Sequence, residues 1–174
     1  MDRMEQFSIP FAGMARGAHQ FEFEIDDKFF EAFENSVIRK AAVHADLELI
    51  KEDNMLTLTF RFNGHITHEC DRCLEEFDLP VHETRIMLVK FGDPAKGDSD
   101  EVVVINAGDH HINIAQHIYD YLTLMLPIRV VHPDQENGEP GCNPEFLNKI
   151  QSPPAGEEPD PRWAALKNLS QRKN

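Results

Sequence analysis

Between residues 19 and 90 this chain alternates apolar and polar side chains, a period of two that predicts strands rather than helices. In His19-Gln20-Phe21-Glu22-Phe23-Glu24-Ile25 the residues Phe21, Phe23 and Ile25 share one face, as in a half-buried strand. Upstream, the apolar run from Phe7 to Phe11 is broken by Pro10 and reads as an edge strand or a lead-in. Asp26 is placed to cap a short helix running to Asn35, with Phe29, Phe30 and Phe33 turned into the core. Alternation returns with Val43, Ala45, Leu47 and Leu49, and Glu52-Asp53-Asn54 marks a turn. Leu56, Leu58, Phe60 and Phe62 follow, Gly64 interrupts, and the run continues to Cys70. Beyond it Phe77, Leu79 and Val81 alternate, and then Ile86, Leu88 and Lys90 carry the opposite parity, which predicts a bulge.

The second half reads differently. Residues 92–100 are a polar loop, and the unbroken run Val102-Val103-Val104-Ile105 predicts a short buried strand. Asn113 with Gln116 has the spacing of a capping box. Ile114, Ile118, Tyr121, Leu122 and Met125 then form the stripe of an amphipathic helix that Pro127 ends. The pattern predicts an α+β fold: an antiparallel β meander, as a twisted sheet or partly closed barrel, packed by that helix. Residues 134–160 collect prolines and seven acidic residues against the single Lys149, too little apolar surface for a core, with one helical turn at 144–150. Asp160-Pro161-Arg162-Trp163 opens a short C-terminal helix, with Pro161 at its first position. The expected organisation is one α+β domain over 1–133, then an acidic, proline-rich linker and short helix over 134–174.

Charge and cysteine content narrow the function classes. The 174 residues carry 17 basic and 31 acidic side chains, a net charge of -14. A surface of that sign repels phosphate backbones and opposes wholesale nucleic-acid binding. No apolar stretch approaches the roughly 18 residues of a membrane span, and no secretory signal is visible at Met1 to Phe11. Three cysteines, an odd number, point to a reducing cytoplasm. GxSxG, HExxH and phosphate-binding glycine motifs are missing, and the adjacent His110-His111 pair reads as solvent-exposed.

The candidate chemistry lies in Cys70-Asp71-Arg72-Cys73, at the turn between two strands. Two thiolates at this spacing reach a single zinc from one turn. Cys142 and His132 would complete a four-ligand site, with His68 as another candidate ligand. Redox dithiols favour helix N-termini, whereas this pair follows a strand and is crowded by Glu69, Asp71, Glu75 and Glu76. A plain hairpin end with inert thiols is the third reading.

The segment Cys70-Asp71-Arg72-Cys73-Leu74-Glu75-Glu76-Phe77 resembles the CxRCLxxF signature of the YceD-like family. Ile114 to His132, Cys142 and Asp160-Pro161-Arg162-Trp163-Ala164-Ala165-Leu166 agree with later family segments in the same order, so the resemblance runs from Val43 to Leu169. Some family members carry two full CxxC pairs, where this chain offers His132 and Cys142. The resemblance implies a non-enzymatic ribosome-biogenesis factor supporting accumulation of large-subunit ribosomal RNA. Its partners would be that RNA or ribosomal proteins, with neither membrane nor small-molecule substrate. Contact is expected at Arg72 and at the basic end carrying Arg162, Trp163 and Lys167, or else with basic ribosomal proteins.

Overall fold

The structure is a computed structural model that describes residues 4–93, 102–135 and 138–151. The chain forms two compact units, Met1–Val131 and His132–Asn174.

In the first unit a 3-10 turn, Glu5–Phe7, leads into the two-residue strand β1 (Ser8–Ile9). Strand β2 (Gly17–Ile25) follows, then the single-turn helix α1 (Asp27–Phe30), then β3 (Lys40–Lys51), β4 (Met55–Glu69) and β5 (Glu76–Gly92). After β6 (Val102–Asn106) and β7 (Ile112–Asn113) comes helix α2 (Ala115–Met125). β2 to β6 form one open five-stranded sheet in sequence order, and β1 pairs with β7. The fold is α+β, as the periodicity predicts. No described helix is long and apolar enough to cross a membrane.

Alternation and burial coincide in the three long strands. Val43, Ala45, Leu47 and Leu49 of β3 are buried, as are Leu56, Leu58, Phe60, Phe62 and Ile66 of β4. Ile118 and Leu122 of α2 join the same core, whose fully covered side chains stabilise the fold by roughly 2 kcal/mol each. Tyr121 meets Phe60 edge-on at 5.6 Å between ring centroids, and Tyr119 stacks on Phe33 at 4.1 Å. The N-terminal arm is pinned by Lys51, whose ammonium donates to the carbonyls of Phe11 and Met14, each at 2.8 Å.

Gly64 lies between Val43 and Val81 with φ 149°, and a Cβ there would fall 2.1 Å from the Ala42 carbonyl oxygen. The glycine that interrupts the sequence alternation is thus what lets β3 and β4 approach closely.

Four expectations are corrected. β4 and β5 pair in unbroken register from Met55↔Lys90 to Glu69↔Glu76, so β5 has no bulge. The inward set continues as Met87 and Val89, while Ile86 points outward and is 64% exposed. The polar inward positions Glu83 and Arg85 hid this continuity, because that stretch is exposed on both faces. β6 runs parallel to β5 and is half-buried: an edge strand has one neighbour, however apolar its sequence. α1 is one turn long rather than reaching Asn35, although Asp26 does accept from the Phe29 N–H. Asn113 accepts from the Ala115 N–H at 2.9 Å, but the Gln116 amide donates to Asp120 instead of closing a capping box.

In the second unit α3 (Pro144–Gln151) begins with Pro144 at its first position, and the Asn143 side chain accepts from the Glu145 N–H. The expected C-terminal helix around Arg162 and Trp163 lies outside the described residues.

Candidate metal centre at the hairpin turn

The β4–β5 hairpin closes through a turn whose hydrogen bonds are fixed by its ends. The Cys70 N–H donates to the Glu75 carbonyl at 3.0 Å, and the Leu74 N–H donates to the Cys70 carbonyl at 2.9 Å. Leu74 takes a left-handed conformation, φ 62°, to complete this loop. The Arg72 N–H donates to Cys70 Sγ at 3.4 Å. Cys70 and Cys73 are both buried and neither is in a disulfide.

Asp71 has a role that spacing did not reveal. Its N–H donates to the Val130 carbonyl at 2.8 Å, and its carboxylate accepts from the Val130 N–H at 2.6 Å. This two-bond clasp holds the segment that leaves α2 beside the turn. Leu126 is already extended, as a residue preceding Pro127 must be. His132 is only two residues past Val130, at most about 7 Å of chain.

Within the second unit, His132 Nδ1 lies 3.8 Å from Cys142 Sγ. Gly141 permits this: a Cβ there would fall 2.2 Å from the Pro133 carbonyl oxygen, so any larger residue would push the two segments apart. Cys142 stands two residues before Pro144, the first residue of α3.

Together Cys70, Cys73, His132 and Cys142 form a group whose ligand atoms all lie within 4.8 Å of one another, and this group could hold a metal ion. Three sulfurs and one imidazole nitrogen are a donor set suited to zinc in number and softness. Burial of the three cysteines removes water as a competing ligand. His68, the other candidate, is outside the group and turns its Nδ1 to the Glu69 carbonyl. Of the expected partner-contact residues, Arg72 is in the turn and half-buried. Arg162, Trp163 and Lys167 lie outside the described residues. Sequence reasoning passed over Asp71 and Gly141; an acid inside the CxxC and a glycine immediately before the third cysteine were the available signals.

Two histidines with displaced pKa values lie away from the turn. His44 is held above its usual 6.5 by a hydrogen bond to Glu24, with Asp46 adding to it. His117 is pushed below 6.5 by burial in α2. The two therefore act in opposite pH windows. The His44 contribution to stability is complete below pH 6.5 and is lost as pH rises through its raised folded value. The His117 contribution is present above pH 6.5 and is lost as pH falls through its lowered folded value. NMR titration of the imidazole protons should give a midpoint above 6.5 for His44 and below it for His117; the reverse order would refute both assignments.

No curated protein and no solved structure matches the chain. Residues 58–170 match the family described as large ribosomal RNA subunit accumulation protein YceD. The match covers well over half of the sequence and contains the turn, the clasp and all four residues of the metal-competent group. The chain is therefore a member of the YceD family.

Proposed function

We propose that this protein is a non-enzymatic assembly factor for the large ribosomal subunit, and that a structural zinc at Cys70, Cys73, His132 and Cys142 shapes its working corner. The observation that carries this reading is the family match over 58–170, whose description is accumulation of large-subunit RNA and not a reaction. The donor set supports it. Four protein ligands complete a tetrahedron, whereas a catalytic zinc keeps a position open for water or substrate. The zinc would supply rigidity, joining the hairpin turn to the segment after α2.

The net charge of -14 favours contact through basic proteins of the assembling particle. Arg72, with Arg162, Trp163 and Lys167, is the local route to RNA. Filter binding to large-subunit RNA at low and moderate salt separates the two: steep salt dependence indicates phosphate contact, and salt-insensitive association indicates a protein partner. The function itself is tested by depleting the protein in its host. The ratio of large- to small-subunit RNA should fall and be restored by the intact chain. An unchanged ratio would overturn the reading.

A further inference from the structure

Among the described residues the outward face of the five-stranded sheet is uncovered, and it departs from the pattern of an uncovered antiparallel face. Such a face is expected to be polar throughout. All the buried residues of β2 to β5 sit on the other face, and the outward side chains are exposed or half-exposed. Two zones divide it.

On β5, β6 and the near end of β3 the zone is apolar. Ile50, Thr57, Leu88 and Val102 form one cross-strand row, with Ile86 beside Thr59 in the next and Val104 beside Lys90 in the one beyond. On β2 and β3 the zone is acidic: Glu22 faces Asp46 directly, Gln20 faces Glu48, and Glu24 faces His44. Arg61 is the cation opposite Asp46, and its guanidinium also lies 3.5 Å from Glu48. Two carboxylates placed directly opposite each other, as Glu22 and Asp46 are, weaken strand pairing. Among the described residues no Phe, Tyr or Trp occupies an outward position of these strands.

We propose that this face docks a basic amphipathic segment of a protein partner. The partner's aliphatic side chains would lie on Ile50, Ile86, Leu88 and Val102, and its Lys or Arg residues on Glu22, Asp46 and Glu48. Charge sign selects this occupant. A nucleic acid is repelled by the carboxylates, and a second copy would bring acidic zone against acidic zone. Five strands at about 4.8 Å spacing give roughly 19 Å of width, enough for one helix about 10 Å across or an extended segment. The inference deepens the assembly-factor reading by giving the chemistry of its partner.

The test uses the full chain and three fluorescent probes: a basic amphipathic peptide of lysine and leucine, a scrambled isomer of identical composition, and a single-stranded RNA. The amphipathic peptide should bind at least about tenfold tighter than its isomer. Glu22→Lys and Ile86→Thr should each weaken it about tenfold. Glu22→Lys replaces a like-charge pair by an opposite one, so its melting temperature should not fall, and Ile86→Thr keeps a β-branched residue in the strand. Equal binding of both peptides, or binding unaffected by either variant, overturns the proposal. RNA binding weakened by Ile86→Thr, or a dimer abolished by these variants, also overturns it by assigning the face to another occupant. Peptide binding that survives alongside an unchanged ribosomal RNA ratio would instead refute the assembly reading and leave the docking face standing.

Discussion

Protein purified under reducing conditions, with neither zinc nor chelator added, should contain one zinc per chain, and Cys142→Ser should remove it. The expectation rests on four ligand atoms lying within 4.8 Å of one another, three of them from buried cysteines. The effect on stability should be large. Zinc bound only by the folded form stabilises it by about 4 kcal/mol when free metal exceeds Kd a thousandfold. A strong chelator should therefore lower the melting temperature by about 10 °C for a chain of this size. It should also expose residues 132–151 to limited proteolysis. The β2–β5 core should survive, because its packing is aliphatic and aromatic and uses none of the four ligands. Thiol titration gives an independent readout. All three thiols should react slowly in the native protein and rapidly after chelation. Metal-free protein whose thiols react at once would end the zinc reading and return the turn to a plain hairpin.

Gly64→Ala should be among the most damaging single substitutions in the sheet, costing about 3 kcal/mol in urea denaturation. Two independent causes combine. The backbone at φ 149° disfavours any side chain, and the added methyl would meet the Ala42 carbonyl oxygen and the Val43 Cα, neither of which can swing away as a flexible side chain would. β3 and β4 would have to separate where they flank Ala45, Phe62 and Ile66, all buried at 0–1% exposure. A cost within about 0.5 kcal/mol of zero, the range of an ordinary surface change, would show that the strands can part without disturbing the core.

The metal-competent group was legible in advance as far as its residue types and no further. Cys70 and Cys73 stand out because two thiols at this spacing share one turn. Cys142 and His132 could be named as completing ligands only because few alternatives of the right chemistry exist. Nothing in the spacing of His132 and Cys142 shows that they meet. Their 3.8 Å contact goes with the close approach of Gly141 to the Pro133 carbonyl, which no local pattern announces. The strand parity shows the same division. For β3 and β4 the apolar positions report the inward face correctly, because that face is buried along its length. In β5, Glu83 and Arg85 occupy inward positions at an exposed stretch, and the apolar Ile86 and Leu88 then mimic a change of register.

Local chemistry in the chain was enough to determine the long strands, the amphipathic helix, the hairpin turn with its dithiol and the acidic balance, because periodicity, capping and charge act between near neighbours. Tertiary structure alone decided that β6 joins in parallel, that one sheet face carries, among the described residues, an apolar and an acidic zone, and that the four metal-competent ligand atoms gather within 4.8 Å. Those outcomes depend on register and on contacts between residues far apart in sequence, whose energies no local pattern records.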